Sequence, residues 1–316
     1  MGRRTLGRSR RRFHRREIAE LTSLNWHGTF VAMPREEAKQ QGYNMLKSGW
    51  VLTKNGEKKK ARFVAKDIAY FRSTSDSRFF AATPSLVTFR LMLWFASFAG
   101  WGAVLTDISS AFLNAWMPED AYYTVEPAPE SGLGKESVWR LRKALYGLRG
   151  APRYWQEHFV SFVVALGFTR LLTDSAVFVL PGVMIVLVHV DDLLMIGLKA
   201  SREWLLEKLK NEFSLKHIFW LDNPGDEAVF VGKQVVKTKS GFTVAVPAAY
   251  VEKMAKVAGL EGSKAAWVPG TKETDRPLAP DANEYGTSEK PAIRFSAPWW
   301  ECCFGCRSND QTSSSA

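Results

Sequence analysis

Two adjacent aspartates interrupt a strongly apolar stretch of the chain, and their placement constrains the fold more than any other feature. Asp191 and Asp192 lie between residues 183–190, a run rich in β-branched residues, and the apolar run at 193–196. Neighbouring residues of a strand point to opposite faces, so both carboxylates reach one site only where the chain turns. The pattern therefore predicts a hairpin with the two aspartates at its tip. The alternative is an ordinary polar turn, in which aspartate is common.

A third aspartate ends another apolar stretch. Asp107 follows residues 103–105 in a segment that predicts a strand. Three carboxylates at the ends of neighbouring strands would form a metal site, and their hard oxygen ligands suit Mg²⁺. Two such ions can activate a 3′-hydroxyl and stabilise a departing pyrophosphate. The alternative for Asp107 is the N-cap of the next helix. His189 is left out of the predicted ligand set, because its side chain is expected to point away from Asp191 or into the core.

A glycine- and proline-rich segment, LYGLRGAPRYW, also contains two arginines. Gly147 and Gly150 permit a close backbone approach, and Pro152 suits the first turn of a helix. Arg149 and Arg153 can donate hydrogen bonds to phosphate groups, which predicts contact with nucleic acid. Taken alone, the segment is also typical of a turn that leads into a helix.

Local patterns predict the elements around these motifs. Residues 85–99 are apolar on almost every side, which predicts a buried helix. The Asn-Gly pair at 55–56 predicts a hairpin. Residues 201–213 predict an amphipathic helix with Ser201 as its N-cap, and residues 228–246 predict two strands.

Charge and composition exclude few functions by themselves. The formal net charge is +11, but eight arginines within residues 1–16 account for most of it, so the body is only mildly basic. That start is expected to be a disordered tail, with a nucleic-acid arm or a localisation signal as alternatives. We find neither a secretory signal nor an apolar stretch long enough to span a bilayer, so no membrane partner is expected. The three cysteines suit a reducing compartment, and their spacing does not predict a zinc site.

Five segments in one order resemble the reverse transcriptase domain of copia-type retrotransposons, roughly over residues 20–270. They are KARFVAK at 60–66, FAATP at 80–84, TDISSAFLN at 106–114, KALYGL at 143–148 followed by APR and Trp155, and HVDD at 189–192. Any one motif is suggestive, whereas the ordered set with its spacing is highly specific.

The resemblance implies an RNA-directed DNA polymerase that uses two Mg²⁺ ions, with Mn²⁺ as an alternative. Asp107 and Asp191 would bind both metal ions, and Asp192 would support them. The residues implied for nucleotide binding are Lys60, Arg62, Lys66, Phe112, Tyr146 and Gly147. Of these, Phe112 matches the position that excludes a 2′-hydroxyl, and the three basic residues are candidates to hold the triphosphate. A core aromatic residue and a solvated basic strand are the respective alternatives.

The implied fold is α+β, a right hand of fingers, palm and a partial thumb or connection, with an antiparallel palm sheet. The implied boundaries are a disordered tail at 1–16, the reverse transcriptase domain at 17–270, and a linker or truncated tail at 271–316. The implied partners are an RNA or DNA template–primer and deoxynucleoside triphosphates, and self-association is left open. The expected location is the cytoplasm, with a virus-like particle or the nucleus as alternatives.

Three positions depart from the usual family residues: Gly150 replaces Gln, His189 replaces Tyr, and Asp67 replaces Gly. The ribonuclease H domain that follows in the family has no match here, so the chain is expected to be a fragment of a polyprotein. These departures leave open a degenerate copy that binds nucleic acid without catalysis. A third interpretation is another phosphoryl-transfer enzyme, and the lack of a Gly-rich phosphate loop argues against its P-loop form.

Overall fold

The computed structural model describes residues 13–55, 58–67 and 81–263 of the 316-residue chain. The chain divides into two compact units, Met1–Ala258 and Gly259–Ala316, and the described part of the second unit is limited to five residues. The predictions for the cysteines, for the tail after the polymerase domain and for most of the arginine-rich tail lie outside the described residues.

Six α-helices lie within the described residues. They are α1 (His14–Trp26), α2 (Arg35–Gln40), α3 (Leu86–Phe98), α4 (Ala151–Ala165), α5 (Lys199–Glu212) and α6 (Ala248–Val257). The ends of α3 follow from local chemistry: the Ser85 hydroxyl accepts a hydrogen bond from the N–H of Thr88, and Gly100 has a φ of +67° just after the last turn. Pro152 lies in the first turn of α4, as predicted.

The described residues also form fifteen β-strands. They are β1 (Phe30–Pro34), β2 (Asn44–Leu46), β3 (Ser48–Asn55), β4 (Lys58–Ala65), β5 (Gly102–Ile108), β6 (Tyr123–Val125), β7 (Ser137–Leu141), β8 (Thr169–Arg170), β9 (Val177–Leu180), β10 (Met184–His189), β11 (Asp192–Gly197), β12 (Leu215–Leu221), β13 (Glu227–Phe230), β14 (Lys233–Lys237) and β15 (Phe242–Ala245). The antiparallel pairing of β3 with β4 confirms the predicted hairpin. Asn55, predicted in the turn, is the last residue of β3 and the partner of Lys58, and residues 56–57 lie outside the described part of the chain.

The largest sheet has the strand order β12-β5-β11-β10-β9-β8, and its strand pairs are antiparallel. Both of its faces are buried. On one face Val186 and Leu193 belong to the core that includes α4 and α5, and on the other face Leu187 and Leu194 pack with α3. Because both faces are covered, the central strands are apolar at almost every position instead of alternating.

Three smaller sheets complete the fold. They are β1-β7-β6-β2, β13-β14-β15 and the hairpin β3-β4. The pairing of β2 with β6 is parallel. This arrangement confirms the predicted α+β fold with an antiparallel central sheet. Within the described residues, no helix combines the length and apolar character needed to cross a membrane.

The prediction that α3 is buried on all sides is wrong. Phe89 and Met92 are buried, whereas Trp94 and Phe98 are among the most exposed large apolar side chains of the described residues. The helix packs on the central sheet with one side only, so an apolar composition all round did not lead to complete burial.

Two further local predictions need correction. The helix predicted from Ser201 begins at Lys199, and Leu198 holds the N-cap position, so Ser201 lies inside the first turn. The two strands predicted for 228–246 are three, because β13, β14 and β15 pair in sequence order. In both cases tertiary packing set the element boundaries more strongly than local residue preference.

A buried arginine ties the central sheet to α5. The Arg202 side chain is 2% exposed, and its guanidinium donates hydrogen bonds to the carbonyls of Gly197 and Ala103, both at 3.0 Å. It also donates to the carboxylate of Asp222 at 2.6 Å. A Cβ at Gly102 would collide with both Arg202 and Asp222, so the close packing of this corner requires glycine there.

Removing the acidic partner should leave the buried guanidinium without its counter-charge. We therefore expect Asp222→Ala to lower the free energy of unfolding by about 2–3 kcal/mol, somewhat less than for a fully buried pair because Asp222 is partly exposed. Urea denaturation followed by circular dichroism measures the change. Glu203→Ala, which removes an exposed carboxylate from the same helix, is the control. Equal transition midpoints for the two variants would contradict the role of the ion pair.

Candidate active site

The predicted hairpin joins β10 to β11. Its two central residues are Val190 and Asp191, so the prediction that Asp191 and Asp192 form the tip is wrong by one residue. His189 and Asp192 are the cross-strand partners that close the turn. Val190 has a φ of +57°, which is unfavourable for a β-branched residue by about 1–3 kcal/mol. A positive φ at the first central residue alone is the pattern of a type II′ turn, which matches the twist of paired strands. The turn lifts Asp191 out of the strand and keeps Asp192 in it.

Two hydrogen bonds hold this turn in place. The indole N–H of Trp155, on α4, donates to the carbonyl of Val190 at 2.6 Å. The N–H of Ile108, at the end of β5, donates to the carbonyl of Asp191 at 2.8 Å. Trp155 is itself almost fully buried. The strained turn is therefore anchored from the core on one side and from the neighbouring strand on the other.

Asp107 lies directly across from Asp192. The two residues are Cα partners in the antiparallel pairing of β5 with β11, where partners lie about 4.5–5.5 Å apart. On its other side Asp107 is the partner of Lys216 on β12. The N-cap alternative does not hold, because the next helical turn, Ala111–Asn114, has Ser110 at its N-cap position. The structure thus brings the three predicted carboxylates to one end of the central sheet.

Burial and neighbouring negative charge change the pKa of one of the three carboxyl groups. Burial, together with the negative charges of Asp191 and Asp107 as smaller causes, raises the pKa of Asp192 to about 6. The site therefore concentrates negative charge whose repulsion a bound cation would relieve.

The chemistry of these side chains fits divalent cations. Within the described residues, no three histidine, cysteine or acidic side chains are spaced so as to hold a metal ion as they stand. A preformed cage is not required for Mg²⁺, which typically takes one or two carboxylates and completes its shell with water and substrate phosphates. Asp107, Asp191 and Asp192 supply hard oxygen ligands, and their mutual repulsion favours cation binding.

His189 lies on the same sheet face as Asp192, because cross-strand partners share a face. Its ring is half-buried, and its Nδ1 has no hydrogen-bond partner within the described residues. Burial lowers the pKa of His189, and the charge of Asp191 opposes that effect. The neutral imidazole is therefore favoured beside the acids.

A wall of basic and aromatic side chains faces these acids. The guanidinium of Arg62, on β4, lies 4.7 Å from the ring centre of Tyr146, whose ring lies 5.6 Å from that of Phe112. Burial raises the pKa of Tyr146, and Asp191 adds to this effect. Burial and the charge of Arg62 lower the pKa of Lys60, while Asp191 raises it. Both effects of Asp191 show that Lys60 and Tyr146 lie within its electrostatic reach.

Gly147 brings the loop that carries Tyr146 into close contact with β4. It has a φ of +85°, and a Cβ at this position would collide with the carbonyl oxygen of Ala65. The carbonyl of Tyr146 accepts a hydrogen bond from the N–H of Ala65 at 2.8 Å. The loop and the strand therefore approach as closely as a residue without a side chain allows, which explains the glycine predicted here for backbone contact.

The three remaining predicted residues are basic and lie just after β4 or near the start of α4. Lys66 follows β4 at the end opposite Lys60, and its exposed side chain lies over Gly49. Arg153, in the first turn of α4, donates from Nε to Glu157 at 2.7 Å. The N–H of Arg149 donates to the carboxylate of Asp67 at 3.2 Å. The predicted roles of these three basic residues remain predictions.

The unusual residues of the sequence have structural explanations. A Cβ at Gly150 would lie 2.5 Å from the ring of Tyr154, so the tyrosine fills the space of the missing side chain. Asp67 accepts the hydrogen bond from Arg149 and joins the end of β4 to the loop before α4. Neither departure disturbs the contacts around the three aspartates.

Sequence reasoning missed three residues near the site. Lys216 was missed because its position opposite Asp107 follows from strand register alone. Glu20, on α1, lies close to Lys60 and Arg62, and burial raises its pKa. The hydroxyl of Ser110 forms a hydrogen bond with that of Tyr146. No local sequence signal identifies Lys216 or Glu20, whereas Ser110 lies inside the motif around Asp107.

Comparison with known proteins decides the family. A family model described as reverse transcriptase (RNA-dependent DNA polymerase) matches residues 35–272. The chain belongs to this reverse transcriptase family. The retrovirus-related Pol polyprotein of transposon TNT 1-94 from Nicotiana tabacum is 28% identical over 70% of this chain and 17% of the relative. That of transposon RE1 from Arabidopsis thaliana is 30% identical over 53% of this chain and 12% of the relative.

A transposon Ty5-1 protein of Saccharomyces cerevisiae is 26% identical over 52% of each chain. These matches confirm the resemblance to the reverse transcriptase domain of copia-type retrotransposons. The chain spans less than a fifth of the length of the two plant polyproteins that it matches.

The tight packing at Gly147 leads to a prediction for this reverse transcriptase chain. Gly147→Ala combines an unfavourable φ with a collision against backbone that cannot move aside, so we expect it to lower the free energy of unfolding by more than about 2 kcal/mol. Gly132→Ala is the matched control, because Gly132 has a φ of +72° but open space around its Cβ position. It should lose only about 1 kcal/mol. Chemical denaturation measures both, and similar losses would show that the contact with Ala65 is unimportant.

The pKa of Asp192 leads to a prediction about pH. A carboxyl group whose pKa is raised on folding lowers stability as pH rises from its unfolded value, about 3.9, through its folded value of about 6. Without metal, Asp192→Asn should therefore melt at a higher temperature than the wild type at pH 8, and the difference should shrink at pH 4. Thermal melts in EDTA test this expectation. A difference that is constant with pH would mean that the ionisation of Asp192 is not its cause.

Proposed function

We propose that this chain is the polymerase part of a reverse transcriptase and extends a DNA primer on an RNA template. One observation carries the proposal: Asp192 is the cross-strand partner of Asp107, and Asp191 occupies the turn beside them. Membership of the reverse transcriptase family gives this cluster of acids a chemical purpose. The raised pKa of Asp192 supports a site that is suited to cations.

Two Mg²⁺ ions, or Mn²⁺ in their place, would be held by Asp107, Asp191 and Asp192. When bound, such ions lower the pKa of an attacking 3′-hydroxyl and neutralise charge on the departing pyrophosphate. The protein holds the carboxylates at the end of a rigid sheet, with Val190 fixed by Trp155. This rigidity limits the reorganisation that the site undergoes during the reaction.

The incoming deoxynucleoside triphosphate would lie between the three aspartates and the basic and aromatic side chains that include Lys60, Arg62 and Tyr146. Lys60 and Arg62 are the favoured contacts for its phosphates, because Lys60 lies within electrostatic reach of Asp191 and Arg62 contacts the ring of Tyr146, which also lies within that reach. Phe112 and Tyr146 would border the sugar, and Phe112 would exclude a 2′-hydroxyl. Gly147 would lie beside the nucleotide or template, in the loop that Ala65 holds through its hydrogen bond to Tyr146.

The template–primer would extend from this site along the start of α4. Arg149 and Arg153 lie there, in the loop and first turn that precede the buried part of the helix. Their contacts would position the phosphate backbone and carry no base specificity. Lys66, the third candidate to hold the triphosphate, precedes Asp67, whose carboxylate accepts a hydrogen bond from the N–H of Arg149.

Primer extension with purified protein, a primed RNA template, deoxynucleotides and Mg²⁺ tests the proposal. We expect Asp107→Asn and Asp191→Asn to lower the extension rate by about 10²-fold or more, since each removes a charged ligand from the site. Glu207→Gln, an exposed carboxylate on α5, is the matched control and should leave the rate unchanged.

Binding of the same template–primer, followed by fluorescence anisotropy, separates catalysis from affinity. The aspartate variants should bind as well as the wild type, because they remove no positive charge. A wild type that binds but does not extend the primer, or that extends it no faster than Asp191→Asn, would favour a degenerate copy that only binds nucleic acid.

A further inference from the structure

The outer side of α3 presents a continuous apolar surface. Val87 is 67% exposed, Leu91 57%, Trp94 63% and Phe98 79%. These four side chains, called here the α3 seam, lie opposite the side that packs on the central sheet. The rings of Trp94 and Phe98 stack on each other with their centres 5.8 Å apart.

The spacing of the α3 seam is that of a helix–helix contact. Its residues follow one another at intervals of four, three and four, which places them in one narrow stripe along the helix. This is the a/d repeat by which two helices pack knobs into holes at a small crossing angle. A stripe of this kind suits another helix better than it suits a flat sheet.

The size of the surface also points to a partner. An aromatic side chain carries about 150–250 Å² of surface, so at these exposed fractions the seam presents on the order of 500 Å². That lies toward the upper end of the largest apolar patch on a typical monomer, which is often functional. Two such surfaces would bury on the order of 1,000 Å² in total, which is the size of a weak, concentration-dependent interface.

We propose that two copies of this chain associate through their α3 seams, packed antiparallel about a two-fold axis. This arrangement sets Val87 against the partner's Phe98 and Leu91 against the partner's Trp94. Each aliphatic side chain then meets an aromatic one, and large and small side chains interdigitate across the contact. A parallel arrangement would set Trp94 against the partner's Trp94, where two large rings compete for one layer.

The charge beside the seam agrees with this arrangement. Arg90 is the one charged residue of α3, and it flanks the seam. In the antiparallel register it lies beside the partner's Phe95, where a guanidinium can rest on an aromatic face. The two copies of Arg90 are kept apart. A nucleic acid is the less favoured occupant, because surfaces that stack bases combine aromatic rings with several basic side chains.

Sedimentation equilibrium over concentrations from about 1 to about 200 μM tests the association, a range that covers weak interfaces of this size. The wild-type mass should rise from 35.6 kDa toward twice that value. Trp94→Glu and Phe98→Glu place a charge in the seam and should weaken the dimer at least tenfold. Val164→Glu, at an exposed apolar position on α4, is the matched control and should dimerise like the wild type. Thermal melts check that all variants remain folded.

Disulfide cross-linking tests the direction of packing, in a background whose three native cysteines are changed to Ser. An equimolar mixture of Val87→Cys and Phe98→Cys chains should cross-link under mild oxidation. Val87→Cys alone should not, because eleven residues, about 16 Å along a helix, separate the two copies of that position. Cross-linking of Val87→Cys alone would mean parallel packing and would overturn the proposed register.

Other outcomes would overturn the association itself. A wild type that stays monomeric throughout the concentration range, or a Trp94→Glu variant that dimerises equally well, rules out the seam as the contact. Protection of Trp94 from acrylamide quenching in the monomer would show that another segment of this chain covers the seam. Quenching of its fluorescence by single-stranded oligonucleotides, lost in Trp94→Phe, would instead make the seam a nucleic-acid surface.

Discussion

The antiparallel pairing of β5 with β11 is the constraint on which the candidate site depends. It runs without a break from the Gly102–Gly197 pair to the Asp107–Asp192 pair. A slip by one residue would exchange the two faces of the strand and move every buried side chain into the wrong core. Because both faces are packed with apolar side chains, that slip is strongly disfavoured. The same packing that stabilises the sheet therefore fixes the two acids side by side.

The two ends of the β5–β11 strand pair differ in the interactions that their residues make. At one end Arg202 donates hydrogen bonds to carbonyls of both strands and fills the space beside Gly102. At the other end the carboxylates repel one another, and Val190 has an unfavourable backbone φ angle. Strain and uncompensated charge concentrated in one place are typical of functional sites, where the surrounding structure must hold them. Here Trp155 and Ile108 hold the turn from two directions.

Charges of opposite sign surround the acids without neutralising them fully. Lys216 lies across from Asp107, and Lys60 and Arg62 approach from β4. Glu20 lies close to both of these basic side chains and moderates their mutual repulsion. An arrangement with acids on the sheet and bases on the adjacent strand provides separate places for metal ions and for phosphates, which is what the proposed polymerase reaction requires. The departures from family residues, at Gly150 and Asp67, are absorbed by local contacts that leave this arrangement intact.

Sequence alone determined the features that depend on local chemistry and order. The Asp-Asp pair between apolar runs indicated a hairpin, Pro152 indicated the start of a helix, and the ordered motifs indicated the family. Sequence could not determine that Lys216 faces Asp107, that α3 leaves one side uncovered, or that Tyr154 fills the space beside Gly150. These features depend on strand register and on which surfaces meet, and both are decided by the simultaneous packing of segments far apart in the chain. Local patterns carry no information about that choice, because an apolar residue has the same preference for burial wherever its partner lies.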